Sequence, residues 1–496
     1  MNQDWLLLLP ILLPILSGIC LLWLKPDEKG KLLPIAVVAT LALNLIVLLP
    51  ILLGGDRMLP LFTLSDDLPI FLRLDTAGRF FSGLIALVWA VAGCYSFEYM
   101  AHERYLIRYY AFYLMTLGVL MGLSFAGSVI TFYMFYEAMT LLSVPLVMHT
   151  KKREAVAGGI KYLIYSVVGA SLALLGVFLI APYARDFGFA QGGALDAAKA
   201  AGHESVILWG SLLMLLGFGA KAGMFPLHGW LPTAHPAAPS PASAVLSGVI
   251  TKAGVLGILR VIYQFVGTDL LRGSWVQVTL MSLSLFTVLM GSMLAFQEQL
   301  LKKRLAWSTV SQVRYVVFGL SAMHPVALFG ALLHVVAHSL IKDTLFMGAG
   351  AIICKTGKTR VDELRGIGKQ MPVTMWCFTI ASLGLIGIPP CLGFVSKWYL
   401  AEGALGMTGV PAFFNWFAPA VLLISALLTA GYLLPISIRG FLPGRDANNQ
   451  LLWFEKAEPT YVMLLPLLCL TVLSVVCGLF PQVLEPIVNA VGSLLM

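Results

Sequence analysis

The sequence predicts an all-α polytopic membrane protein, and three observations carry that prediction. Of the 496 residues, 59% are hydrophobic and only 11% are charged, and mean hydropathy is +0.89; a soluble domain is roughly 25% charged. The apolar residues fall in runs of about twenty, the length a helix needs to cross a bilayer. The connections between the runs carry an alternating surplus of Lys and Arg, as the positive-inside rule requires. A soluble globule of this composition would lack the charge to stay dissolved, and so much apolar surface also excludes a disordered chain.

In chain order the candidate spans are 5–24, 32–53, 78–97, 109–126, 128–148, 160–182, 205–229, 240–263, 274–296, 305–323, 326–354, 372–403, 414–438 and 459–480, fourteen in all. The first follows Asp4 with no basic residue before it, so it suits a spanning helix better than the shorter apolar core of a signal peptide. Segment 54–77 holds Asp66, Asp67, Arg73 and Asp75 between turn-like breaks and is expected to form a surface hairpin, not a span. The expected organisation is N-terminal helices and hairpin over 1–108, one unit over 109–263, a second over 274–438, and a loop with the last helix over 439–496.

One set of alternate connections (25–31, 98–108, 149–161, 230–239, 297–304, 355–371 and 439–458) holds twenty Lys and Arg residues, and the opposite set holds five: Arg57, Arg73, Arg185, Lys199 and Arg272. The first set is expected in the cytoplasm and both termini on the outside face. The net charge of +8 is therefore topological and excludes nucleic acid as a partner. The seven cysteines stand singly with no CxxC pair. That spacing argues against a zinc or iron–sulfur site built by this chain and against a disulfide framework.

The remaining basic residues include five deep in the spans, Lys221, Lys252, Arg314, Lys342 and Lys397, and Glu137 joins them. An ionisable group at the bilayer centre costs at least ~2.5–3.5 kcal/mol, so each needs either a buried partner or a polar pathway. Glu137 and Lys252 fall near mid-span at 1.5 Å per residue. Lys221 precedes Pro226, which is expected to break its helix, and Lys397 follows Pro390. Long apolar segments interrupted by Gly and Pro in two halves of a chain point to a transport site. His334, His338 and Lys342 recur every four residues and are expected on one helical face. Lysine and histidine exchange protons under modest perturbation, whereas arginine does not. The set therefore favours a proton relay over simple pairing. Asp343 is expected to point about 100° away from Lys342. Arg314 is left undecided between pairing and snorkelling. His228 and His235 flank the turn HGWLPTAHPAAPSP, where they either line a cytoplasmic mouth or cap the turn.

The stretch KAGMFPLHGWLPTAHPAAPSPASAVLSGVITKAGVLGILR (221–260) closely resembles the signature of the proton-conducting antiporter-like membrane subunits. These are the large membrane subunits of complex I, their counterparts in membrane-bound hydrogenases, and the large subunits of Mrp-type sodium/proton antiporters. FYMFYEAMTLLSVPLV (132–147), KKRLAWSTVSQ (302–312), HVVAHSLIKDTLF (334–346) and GIPPCLGFVSKWYL (387–400) extend the resemblance over about 60–440. It implies fourteen helices with two inverted five-helix repeats, each containing a broken helix. By the same resemblance Glu137 modulates Lys221, Lys252 bridges toward the centre, His334, His338 and Lys342 continue a hydrophilic axis, and Lys397 is the terminal lysine. The chain departs from the family pattern at Thr233, at Leu300 or Gln299, at Arg314 and at Asp343, with Arg314 and Asp343 conceivable as a compensating pair. With one span after 414–438 it looks most like the shorter types.

The expected function is a proton-translocating subunit of a multisubunit redox-driven pump, complex I-like or hydrogenase-associated, in a prokaryotic cytoplasmic membrane. The alternative is the D-type subunit of an Mrp-like sodium/proton antiporter. The chain has no Walker motif and no GxGxxG after a strand, so energy must come from elsewhere. No cofactor or metal is expected in this chain; iron–sulfur, flavin or nickel–iron centres are expected, if anywhere, in partner subunits. Expected partners are other membrane subunits, including further antiporter-like ones, the lipid bilayer, and protons or sodium.

Overall fold

Long runs of Leu, Ile, Val and Ala have no polar side chain to compete with the i→i−4 ladder, and in lipid every backbone group must find its partner internally. The computed structural model describes residues 3–65, 68–443 and 455–495, and it is helical almost throughout. A short 3₁₀ turn leads into α1 (Leu9–Leu24). There follow α2 (Leu32–Leu53), the strands β1 (Arg57–Thr63) and β2 (Pro69–Leu74), α3 (Thr76–Met100), α4 (Leu106–Ser124), α5 (Val129–Val147) and α6 (Arg153–Ile180). Next come α7 (Glu204–Lys221), the short α8 (Leu231–Ala237), and α9 (Ser240–Phe265), which holds two π turns. The chain continues through α10 (Trp275–Gln297), α11 (Leu301–Ser321), α12 (Pro325–Thr356), α13 (Pro372–Ile386), α14 (Leu392–Leu405), α15 (Phe413–Phe441), α16 (Tyr461–Leu479) and α17 (Glu485–Leu495).

Among the described residues, twelve helices are long and apolar enough to cross a membrane. They coincide with twelve of the candidate spans. The segment 305–323 is α11, whose first turn carries Lys302, Lys303 and Arg304. The segment 372–403 is two shorter helices, α13 and α14. The first helix break comes earlier than Pro226: α7 ends at Lys221, and Gly223 turns the chain with φ +79°. The second break turns at Gly387, φ +94°. A residue without Cβ takes this left-handed conformation at no steric cost, which is why helices end on glycine.

The 54–77 segment is an antiparallel hairpin, but its surface character holds only for β1. β2 is largely buried, because Arg73 N–H donates to Phe125 O (2.6 Å) and Gly127 N–H to Phe71 O (3.1 Å). Asp66 and Asp67 of the hairpin, and Arg445 of the 439–458 connection, lie outside the described residues. The candidate spans end at residue 480, yet the chain goes on into α17, which packs on α3 and α12.

α6 and α7 meet through Gly169 and Gly217: a Cβ at 217 would lie 2.5 Å from Gly169 O and 2.6 Å from Ala173 N. Small residues at such a contact let two helix backbones approach inside lipid. We expect Gly217→Ala to lower stability by about 1–3 kcal/mol, read as a lower thermal unfolding midpoint in detergent. An unchanged midpoint would mean that the two helices have room to part.

Candidate functional site

The close α6–α7 contact places Lys221, the last residue of α7, against three hydroxyls. Its Nζ donates to Thr140 Oγ1 (2.8 Å), Tyr162 OH (3.0 Å) and Ser166 Oγ (2.9 Å). An ammonium has three donors, so this one is saturated by neutral groups. Tyr162 OH is in turn 2.7 Å from Ser143 Oγ. Glu137, one turn before Thr140 on α5, is half-buried, and no ion pair joins it to Lys221 among the described residues.

Lys252 sits near the middle of α9, between its π turns at Leu246–Ile250 and Val261–Phe265. A π turn inserts a residue into the helical ladder and frequently marks a functional position. Lys252 Nζ donates to Ser247 O (2.8 Å) and lies 2.5 Å from His338 Nδ1. One proton serves that contact: either the ammonium donates to a bare Nδ1, or Nδ1–H donates to a neutral amine.

His334, His338 and Lys342 are all buried on α12, but they do not serve one partner. Four residues overshoot a full turn by about 40°, so each reaches a different neighbouring helix. His334 Nδ1 is 2.9 Å from Ser396 Oγ on α14, and its ring stacks on Tyr315 at 5.4 Å. His338 faces Lys252, with its ring centroid 6.3 Å from that of His334. Lys342 Nζ donates to Leu305 O and Ser308 Oγ of α11, each at 2.7 Å. Lys397 Nζ, the residue after Ser396, donates to Leu385 O (2.6 Å) and Ile386 O (3.1 Å) and lies 4.9 Å from the Tyr315 ring centroid.

The structure also places Arg314 away from any carboxylate among the described residues. It is fully buried and donates from NH2 to Ala222 O at 2.6 Å, the carbonyl of the residue just past the end of α7. Lys397 does the same for the last carbonyls of α13. Each broken helix thus ends on a cation, which suits the negative end of its dipole. The conceivable Arg314–Asp343 pair does not form. Asp343 is buried with no hydrogen-bond partner for either carboxylate oxygen, and its carboxylate lies so close to Gly248 that a Cβ there would collide with it. His228 and His235 both pack against aromatic rings beside the turn. His228 is half-buried against Phe225 and Trp307, at 5.8 Å each. His235 is buried on Phe346 (4.9 Å) with both ring nitrogens unpartnered.

Sequence reasoning missed the hydroxyls that hold the lysines, and it missed Lys302. That lysine stands among the loop cations in the sequence but is buried, donating to Ala238 O and to Pro236 O (3.4 Å). A hydroxyl row continues through Ser247–Thr309 (2.7 Å), Ser292–Ser311 (2.8 Å) and Ser292–Ser425 (2.7 Å). Its signal was the cluster of Ser, Thr and Gln inside KKRLAWSTVSQ. Among the described residues no group of three or more His, Cys, Asp or Glu is placed to hold a metal ion.

Ser396→Ala removes the partner of His334 Nδ1. We expect proton transfer to slow by up to about tenfold, the worth of one buried hydrogen bond, in vesicles that report internal pH. A rate equal to the wild type would show that His334 needs no such orientation.

The family model described as NADH:quinone oxidoreductase/Mrp antiporter, TM, matches residues 126–436. The N subunit of the NADH-quinone oxidoreductase of Desulforudis audaxviator is 35% identical over 416 residues, covering 81% of this chain and 79% of that protein. The D-type Na(+)/H(+) antiporter protein of Bacillus subtilis is 27% identical and covers 99% and 97%. Among solved structures, a chain of the Mrp complex from Dietzia sp. DQ12-45-1b superposes with a TM-score of 0.87 at 22% identity, over 100% of this chain and 98% of that one. That likeness establishes the fold.

Proposed function

Because the chain belongs to the NADH:quinone oxidoreductase/Mrp antiporter membrane family, we propose that it moves protons along Glu137, Lys221, Lys252, His338, His334, Lys342 and Lys397 within a redox-driven pump. It is an antiporter-like, multi-pass membrane subunit. The observation that supports the relay is the company its lysines keep. Lys221, Lys252, Lys342 and Lys397 each bond only hydroxyls, carbonyls or an imidazole. A permanent carboxylate partner would fix an ammonium in its charged form. Hydroxyl and imidazole partners both donate and accept, so they bond either protonation state. Carbonyls accept from an ammonium or from a neutral amine, so they too leave both states open.

The chain's own chemistry is proton transfer, with no covalent step. Any iron–sulfur, flavin or nickel–iron centre belongs to partner subunits of a complex I-like or hydrogenase-type assembly. His228, His235, Arg314 and Asp343 are accessory to the axis: Arg314 holds the end of α7, and Asp343 sets the field near Lys252. We place the chain in the cytoplasmic membrane of a prokaryote with both termini outside, an orientation that the surplus of Lys and Arg in one set of connections supports.

The second reading, a D-type subunit of an Mrp-like antiporter, draws on the near full-length likeness to the Bacillus subtilis protein. Sodium separates the two. In vesicles carrying the assembled complex, a redox-driven pump acidifies or alkalinises the lumen in sodium-free buffer once an electron donor is supplied. Proton movement that needs a sodium gradient and ignores the donor would select the antiporter.

A further inference from the structure

On the basic face of the protein, the α3–α4 and α5–α6 connections enclose a cavity of about 300 Å³, lined by residues 102–105 of one and 149–152 of the other. Arg104, Lys151 and Lys152 are exposed there, against the single carboxylate of Glu103. Two residues that are not glycine adopt left-handed backbone, Tyr105 (φ 64°) and Lys151 (φ 56°). They face each other across the cavity, with Lys151 Nζ 3.8 Å from the Tyr105 ring centroid. Backbone strain of this kind persists where the surroundings impose it and gathers at binding sites. α6 begins beside the cavity with no side chain accepting from its first-turn N–H groups, Glu154 being the one acidic residue of that turn, and a helix start favours anions.

A buried group points to the ligand as well. His149 is 1% exposed, lines the cavity, and completes no hydrogen bond from either ring nitrogen, although the Arg104 backbone lies close enough to act on it. Burial, then the charges of Arg108 and Lys151, push it down to about 4. At neutral pH it is an uncharged imidazole with one N–H to give.

We propose that this cavity binds the phosphate headgroup of an anionic phospholipid. The ends of α3 and α5 and the starts of α4 and α6 set the cavity at the level where headgroups lie. Val156, Ile160, Ile164 and Val167 form an exposed apolar stripe on α6 running away from it, at the spacing that keeps one helical face. The acyl chains follow that stripe while the phosphate meets the lysines, Arg104 and the His149 N–H. Basic pockets between helices at the cytoplasmic surface recognise anionic lipid in this way. A free phosphate would leave the stripe without a role.

The test uses the full chain in detergent, stripped of lipid and titrated in native mass spectrometry with phosphatidylglycerol, phosphatidylcholine or inorganic phosphate. We expect phosphatidylglycerol to bind at least about tenfold more tightly than phosphatidylcholine. The double variant K151Q/K152Q should weaken it about thirtyfold, the loss of two basic groups beside an anionic headgroup. K151R/K152R should retain it, which separates lost charge from lost fold. K29Q/K31Q, exposed cations outside the cavity, should change it less than about threefold. Equal loss in K29Q/K31Q, equal binding of the two lipids, or displacement of phosphatidylglycerol by inorganic phosphate would each overturn the assignment; the last would make it a free-anion site.

Discussion

Replacing Lys252 by methionine is expected to lower coupled proton translocation at least about a hundredfold, the scale on which a positioned acid–base group matters, while the subunit still assembles. The residue sits near mid-depth, shares one proton with His338 Nδ1 at 2.5 Å, and has no carboxylate bonded to it. Methionine keeps the length of the stem and removes the amine, so the bundle loses little packing. The informative companion is Lys252→Arg. If Lys252 were only a structural cation, arginine would replace it with modest loss. A relay requires the group to give up its proton, and a guanidinium does not. Both variants should therefore fail in a vesicle assay of luminal pH driven by the electron donor, with the complex recovered at normal yield. Translocation at wild-type rate in Lys252→Arg would defeat the relay.

The second large effect concerns the fold. Asp75 caps the start of α3 through Gly78 N–H (2.8 Å) and forms a two-pronged bridge with Arg260 of α9, joined by Gln264 Nε2 at 3.3 Å. The Arg260 guanidinium is fully buried, with its central carbon 4.8 Å from the Phe189 ring centroid. Asp75→Ala would leave that cation buried and unpaired, which costs ~3–5 kcal/mol. The expected result is a clear fall in the thermal midpoint, larger than that of an Asp75→Ala/Arg260→Met pair, since removing both charges is cheaper than removing one. Equal midpoints for the single and the pair would show that the bridge contributes little.

The same group gives a pH dependence. Burial alone would raise the Asp75 carboxyl, but the charge and hydrogen bond of Arg260, with those of Gly78 and Gln264, outweigh it and hold the carboxyl below its ordinary value. A carboxyl lowered by folding contributes stability that is complete above the unfolded value, near ~3.9, and is lost as pH falls through the folded one. The wild-type midpoint should thus decline in strong acid by more than that of Asp75→Ala.

Much of the fold was legible because lipid leaves the sequence few choices. Runs of about twenty apolar residues become helices, and Gly–Pro interruptions become breaks. The breaks themselves fell at Gly223 and Gly387, since a left-handed turn ends a helix before a following proline can. Glu485–Leu495 went unread because eleven residues are too few to register as a span. The deep lysines were legible by type, because a charge in an apolar run stands out. Their partners were not: Thr140, Tyr162, Ser166, Ser308 and Ser396 look like ordinary membrane-helix residues until the helices are set side by side. The Asp75–Arg260 bridge joins residues 185 apart in sequence, a distance over which no local pattern speaks.

The sequence by itself determined that this chain spans a membrane many times, and which ionisable residues fall inside its apolar helices. Those properties follow from the cost of polar groups in hydrocarbon, which each residue meets one at a time. Only the tertiary structure decided that Lys252 meets His338, that Arg314 closes α7 instead of pairing with Asp343, and that Lys302 is buried. Each of those depends on a few ångströms between helices distant in sequence, set by close contacts such as Gly169 with Gly217, and the range of a hydrogen bond is too short to be written in spacing alone.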